Sequence, residues 1–506
     1  MSSDAAMSIA PPFETAPSAP PPAITATDAA QLDRALVRGI AWTGAVKWGS
    51  QLLAWFAMLA VARILTPQDY GLVAMGALYL GLTAVLSEFG VGAAVVMLPD
   101  LGKEQIAQIN TLAVLFGAFA FAVSCIVAVP LGHFFNAPDL PPVIAALSLA
   151  FVLTGIRTVP YSLMQKELRF KRLACIDGVQ TVLASTSMVV FALLGLRYWT
   201  LVLGGLLGTG SSTALVLASG RSRFARPHFA SLKRAITFSW HIVVARMSFY
   251  VYSSADLFVA GKMLGSAALG AYSFAVTLAT LLPEKIVSLL ASVTPSVFAR
   301  SERSELRRYV LSITEGLALI TFPATLGLAA VAEDFVLVVL GERWRPMITP
   351  LRILAAYAGF RSIAPLPAQV LNVIRETRFA MWIQLVAAFL FPLAFYLASR
   401  WGATGIAATW VVVHPILNLP LYWRAFTKIE LSVRQYLAAI SPALVGSAIM
   451  LVAIWGANVA LPPGWPRSAH LLFQVVAGVV TYVGALLTLR PAHVRHVYRT
   501  LKLMRG

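Results

Sequence analysis

The 506-residue sequence predicts an all-α polytopic membrane protein of about 14 transmembrane helices: two pseudo-symmetric six-helix lobes plus two extra C-terminal helices. Three observations carry this. First, 59% of residues are hydrophobic and 12% charged, with a mean hydropathy of +0.79, whereas a soluble domain carries about 25% charged residues. Second, the apolar runs are long and do not alternate, as membrane helices require and barrel strands do not. Third, basic and glycine positions recur in register. Lys47 and Arg246, Arg63 and Lys262, and Gly71 and Gly270 each lie 199 residues apart.

Residues 1–33 are rich in Pro, Ala, Ser and Thr, and read as a disordered cytoplasmic segment. They lack an apolar core after a basic start, so the first span itself serves as the insertion signal. Apolar runs follow at roughly 39–64, 72–98, 106–132, 142–165, 174–195 and 199–219, forming an N-lobe over 34–220. The basic stretch 221–234 is a cytoplasmic linker and flexible joint. Six further runs, roughly 236–263, 271–298, 309–331, 349–371, 380–399 and 403–425, form a C-lobe over 235–436. Residues 437–506 add helices 13 and 14, roughly 437–458 and 469–489, and a basic tail.

Loop charges orient the chain. One side holds Lys166, Arg169, Lys171 and Arg172, the linker cations, Arg300, Arg303, Arg307 and Arg308, and the tail. The other side holds fewer, among them Arg63, Arg197, Lys262, Arg343 and Arg345. The positive-inside rule then puts both termini in the cytoplasm. The net charge of +18 is accounted for by these loops and needs no nucleic acid. Cys125 and Cys175 make no disulfide framework or metal-ligand spacing, and no metal or other cofactor is expected. HExxH, P-loop, GxSxG and GxGxxG signatures are absent, so no catalytic residues are assigned.

Chemistry concentrates in ions placed inside apolar runs. A buried cation costs several kcal/mol unless it faces protein or water. Lys47, Arg157, Arg246 and Arg361, with Lys285, are therefore candidates for lining a cationic cavity. Arg157 lies three residues before Pro160, and Arg361 four before Pro365, on the fourth helix of each lobe. The plainer reading is snorkelling: Arg157 lies only about 13 Å along the helix from Lys166. Glu88, Asp256 and Glu315 are candidates for ion coupling or for salt bridges to the cations. Pro160, Pro283, Pro323, Pro365 and Pro367 are either hinges or tolerated kinks. Trp240, Tyr250 and Tyr252 could stack on sugar rings or act as interfacial anchors.

The segment Arg63-Ile-Leu-Thr-Pro-Gln-Asp-Tyr70-Gly71 resembles the end of the first hairpin in bacterial polysaccharide-transport proteins. Asp256-Leu-Phe-Val-Ala-Gly261-Lys262-Met-Leu-Gly265, running on to Leu269-Gly270-Ala-Tyr272, resembles the matching segment of their second half. From about 34 to 436 the chain is similar to Wzx-type oligosaccharide flippases, notably the colanic-acid-exporter branch. These belong to the multidrug/oligosaccharidyl-lipid/polysaccharide exporter superfamily. The resemblance implies a flippase of the bacterial inner membrane that moves an undecaprenyl-diphosphate-linked oligosaccharide, for exopolysaccharide, capsule or O-antigen synthesis. It implies alternating access and, as partners, membrane lipids and the polymerase and co-polymerase of the pathway. A lipid II flippase and a multidrug or cation antiporter of the same superfamily stay open as alternatives. An antiporter for cationic drugs calls for an acidic cavity, and this one is basic. A polytopic glycosyltransferase or polymerase needs a large outer loop, which is missing.

Overall fold

The computed structural model describes residues 48–87, 95, 101–220, 223–291, 298, 303–462 and 464–489. Among these, fourteen helical rods run back and forth between two ends. The first half is α1 (Trp48–Ile64), α2 (Pro67–Ser87), α3 (Lys103–Phe134), α4 (Leu140–Lys166), α5 (Phe170–Leu193) and α6 (Trp199–Ala218). The continuous stretch Phe229–Ala291 breaks at Gly265 into α7 (229–264) and α8 (266–291). Next come α9 (Arg303–Ala330) and α10, whose two segments Ile348–Ile363 and Pro365–Val373 meet at Ala364. α11 (Thr377–Ala398), α12 (Gly402–Lys428), α13 (Val433–Ala460) and α14 (Arg467–Leu489) complete the bundle. Nine stretches of the described residues are long and apolar enough to cross a membrane. Three of them, Ser253–Ser288, Glu305–Leu340 and Thr377–Lys428, each contain a helix boundary. The end bearing Arg63 and Lys262 is called upper below, and the end bearing Lys166 and Ala218 lower.

The turns into α2 and α8 sit at equivalent positions and are built differently. Thr66 caps α2: its N–H and hydroxyl both donate to Asp69 Oδ2 (3.0 and 2.6 Å), and Asp69 N–H donates back to Thr66 Oγ1 (3.2 Å). Pro67 follows as the first helical residue, where its missing N–H costs nothing. The Thr-Pro-Gln-Asp motif is thus a capping device. At the matching place 199 residues on, Gly265 turns the chain with φ of +82°, which a side chain would strain.

The bundle has the burial pattern of a protein in lipid. Phe389 and Ile126 are 80% and 74% exposed, while the interior holds Tyr272, Trp344, Trp410, Phe391 and Phe395. Buried hydroxyls bond one turn back along their own helices, as Ser124 does to Ala120 O (2.6 Å) and Thr321 to Leu317 O (2.8 Å). α3 packs on α4, α5 on α6, and α2 along the α7–α8 stretch; α10 lies between α9, the α7–α8 stretch and α12. Helices α13 and α14 pack on each other, and α13 on α9.

Two connecting segments contain helical structure. The upper connection near 332–348 forms short turns, Ala332–Phe335, Val336–Leu340 and Glu342–Met347, that carry the fully buried Trp344 into the core. The last residues of the linker, from Phe229, are helical and begin α7. Its earlier part is tied to α3: Asn110 Nδ2 donates to Arg223 O (3.1 Å), and Ala225 N–H to Thr111 Oγ1 (3.2 Å).

Candidate functional site

Lys47 and Glu88 lie outside the described residues, as does the side chain of Arg246, whose backbone is part of α7. Lys285 and its neighbour Glu284 are exposed in the lower part of α8, and Glu315 is half-buried on α9. Arg157, Arg361 and Asp256 are placed inside the protein.

Arg157 turns sideways into the first half. Its guanidinium donates to Gln180 Oε1 on α5 (2.9 Å) and Ser212 Oγ on α6 (2.7 Å), and lies 5.4 Å from the ring centre of Tyr161. Tyr161 in turn donates to Asp177 (3.0 Å). The cation therefore cross-links α4, α5 and α6 instead of running along its helix towards the lower end.

Arg361, on α10, lies over the ring of Trp410 on α12, 4.3 Å from its centre. Trp410 donates its indole N–H to Asp256 Oδ2 on α7 (2.9 Å), and Tyr272 on α8 donates its hydroxyl to the same oxygen (2.8 Å). The other oxygen accepts from the Leu257 N–H (2.8 Å). Asp256 is 2% exposed, and three donors satisfy it. Beside it, Tyr357 and His414 share a 2.7 Å hydrogen bond, and Phe391 and Phe395 pack on Trp410. Five helices converge here on one half-buried guanidinium and one buried carboxylate.

The halves thus treat the arginine of the fourth helix in parallel. Each engages the sixth helix of its own half, at Ser212 and at Trp410, which stand 198 residues apart. The carboxylate side is not parallel: the positions 199 residues before Asp256 and Tyr272 hold Ala57 and Val73. Trp410, His414 and Tyr357 were missed in the sequence reading. Their signal is weak: Trp410 and His414 are one turn apart in a largely apolar stretch of α12.

The upper end is closed between the halves. Arg63 Nη1 donates to Val338 O (2.6 Å) and Val339 O (2.9 Å), and Lys262 Nζ to Phe134 O (2.6 Å). Trp344 Nε1 donates to Ala62 O (2.8 Å), and Tyr70 packs edge-on against Trp344 and Phe274. Gly71 and Gly270 face each other so closely that a Cβ on either would overlap the main-chain oxygen of Ser266 or Pro67. Deeper in the bundle, Tyr250 donates to Leu78 O (2.9 Å), so this aromatic is used in joining the halves. Among the described residues, no group of three or more His, Cys, Asp or Glu is arranged to hold a metal.

Comparison with known proteins agrees with this architecture. The chain superposes on a lipid II flippase, MurJ, in an inward closed conformation, with a TM-score of 0.69 at 14% identity, covering 91% of this chain and 99% of that one. An inward-facing multidrug resistance MATE family transporter of the MOP superfamily gives 0.57 at 14% identity, covering 75% and 94%. In sequence it is 27% identical to lipopolysaccharide biosynthesis protein WzxC of Escherichia coli, covering 76% of this chain and 79% of that protein. It is 24% identical to succinoglycan biosynthesis transport protein ExoT of Rhizobium meliloti, covering 90% and 92%. The family model described as polysaccharide biosynthesis protein matches residues 60–349, more than half of the sequence. A multi-pass helical membrane protein with these relatives, the chain belongs to the polysaccharide biosynthesis protein family.

Proposed function

We propose that the chain is a flippase carrying an undecaprenyl-diphosphate-linked oligosaccharide from the cytoplasmic to the outer leaflet of a bacterial inner membrane. The observation that carries this reading is the pair Arg157 and Arg361, guanidinium groups held inside the two halves, each on the fourth helix and against the sixth. A diphosphate needs cations where water is scarce, and a guanidinium offers planar paired donors to phosphate oxygens. Lys285, exposed in the lower part of α8, would extend the basic surface where the headgroup enters, and Lys47 and Arg246 are further candidates for it. The names of the relatives support a glycan-handling transporter over an enzyme.

In this reading the upper end faces outwards, and the structure is the state closed on that side. The lobes rock about the α2–α8 contact, the diphosphate and sugars pass between them, and the polyprenyl tail stays in lipid. Asp256 is the candidate coupling acid, with Glu88 and Glu315 as further candidates. Substrate and a coupling ion must favour different states for the cycle to turn.

The test is transport of a fluorescent lipid-linked oligosaccharide in proteoliposomes, with and without proton or sodium gradients. Wild-type protein should move the lipid, and Arg361→Ala should not, at equal insertion. Equal rates with wild-type protein and with empty liposomes would overturn the reading. Indifference to both gradients would remove the coupling role from the acids and leave downhill flipping.

A further inference from the structure

At the lower end of the first half, outside the path between the halves, α3, α4, α6 and the start of the linker enclose a niche of about 450 Å³. Its rim is basic. Among the described residues, Lys103, Arg169 and Arg223 line it together with one carboxylate, Glu167, which pairs with Arg169 at 2.7 Å. Its floor is apolar, with Leu163 and Val216. All three cations are exposed, so they stand where a charged headgroup can reach them. The niche is amphipathic: cationic at the mouth and oily below.

The surroundings of the mouth place it at a lipid surface. Leu168, Phe170 and Phe224 are 70%, 57% and 60% exposed, interleaved in sequence with Arg169, Lys171 and Arg223. Leu168 holds a left-handed backbone conformation (φ 56°), which is costly for a leucine and turns it outwards. Exposed apolar side chains alternating with cations are the pattern of a segment lying in a headgroup layer.

We propose that this niche binds the phosphate headgroup of an anionic glycerophospholipid of the adjacent leaflet, with Leu168, Phe170 and Phe224 inserted among neighbouring acyl chains. The occupant is a resident lipid, because among the described residues none of the second half lines the niche, and a cargo there would not lie between the halves. Basic pockets between membrane helices at the cytoplasmic side are suited to anionic headgroups. The site also bears on the joint between the halves. Arg223 lines the niche, and its carbonyl is held by Asn110, which lines it too. A bound headgroup would strengthen the attachment of the linker to α3.

Native mass spectrometry of the intact protein, delipidated and then titrated with phosphatidylglycerol or phosphatidylcholine, tests this directly. Wild-type protein should retain phosphatidylglycerol in preference. At about fivefold per surface cation, the Lys103→Gln/Arg223→Gln double variant should lose about 25-fold in that retention. Arg345→Gln, at the upper end, should retain it like the wild type. Undecaprenyl diphosphate, added as competitor, should leave the phosphatidylglycerol bound. Equal retention of the two lipids by the wild type would overturn the proposal, as would an undiminished preference in the double variant. Displacement by undecaprenyl diphosphate at equal concentration would overturn the resident-lipid assignment. The substituted side chains are exposed, so folding is not at stake, and the wild-type comparison needs no variant.

Discussion

Arg63 and Lys262, 199 residues apart, each reach across to main-chain carbonyls of the other half of the molecule: Arg63 to Val338 and Val339, Lys262 to Phe134. The acceptors are alike in kind. Phe134 ends α3, where carbonyls lack helical partners, and Val338 and Val339 lie in the final turn before Gly341. A cation at such an end meets both unsatisfied oxygens and the negative end of the helix dipole. The two clasps close the same end from opposite sides, and neither depends on a carboxylate partner.

Because the acceptors are backbone oxygens, only the cations can be removed, and each should matter by itself. A hydrogen bond from a charged donor contributes about 1.5–3 kcal/mol, so one clasp is enough to shift an opening equilibrium about tenfold or more. Arg63→Ala and Lys262→Ala should each widen the upper end. Spin labels at Asp139→Cys and Arg343→Cys, one on each half, would read this as a longer distance population. An unchanged distribution in the double alanine variant would count against the clasps.

Gly71 and Gly270 supply a steric version of the same test. Alanine at either place puts a methyl into main-chain oxygen of the facing turn, at Ser266 or Pro67, and backbone cannot step aside. Gly71→Ala and Gly270→Ala should insert normally yet fail to close above, with transport lost and the same label distance lengthened. Gly49, with open space around it, should accept alanine without effect on closure.

The lower end carries a charge cluster that answers to pH. Glu376 joins α10 to α11 and takes Lys428 Nζ at 2.6 Å and Arg424 Nη2 at 3.3 Å, which hold its carboxyl below the ordinary value of 4.5. A lowered folded-state pKa means that the stabilisation is present above 4.5 and is lost as pH falls through the folded value. Melting temperature should therefore drop below pH 4.5 in the wild type. Glu376→Gln should lower the melting temperature at pH 6 and show a smaller drop on acidification.

Much of this was legible in the sequence, for particular reasons. Hydropathy marks the helices because lipid demands long apolar runs, and Arg157 and Arg361 stood out as costly exceptions to them. The 199-residue spacing singled out Arg63 with Lys262 and Gly71 with Gly270. Their role stayed hidden because the acceptors are carbonyls of Phe134, Val338 and Val339, and a carbonyl has no sequence signature. Trp344 was lost for another reason. It stands among Glu342, Arg343 and Arg345, a composition that reads as solvated loop, and only tertiary packing buries it. Asp256 and Tyr272 share one quoted motif, yet Trp410, which completes the carboxylate's shell, lies 154 residues away.

That shell gives the sharpest test of the second half. Asp256 accepts from Trp410, Tyr272 and Leu257, while Arg361 reaches it through the ring of Trp410. Asp256→Asn keeps the shape and an acceptor oxygen but removes the charge, and its amide brings two donors to a place already supplied with donors. If the negative charge serves coupling, Asp256→Asn should fold, bind the lipid-linked oligosaccharide, and flip it at a rate indifferent to an imposed ion gradient. If the carboxylate is purely structural, the variant should lose melting temperature and keep whatever gradient response the wild type has. Arg361 separates the remaining question. Arg361→Lys keeps a cation but not the planar group stacked on Trp410, so flipping should fall at least about tenfold if planar phosphate contact matters. Near wild-type flipping by the lysine variant would reduce the role of Arg361 to a point charge, and near wild-type flipping by Arg361→Ala would remove it from the substrate path altogether.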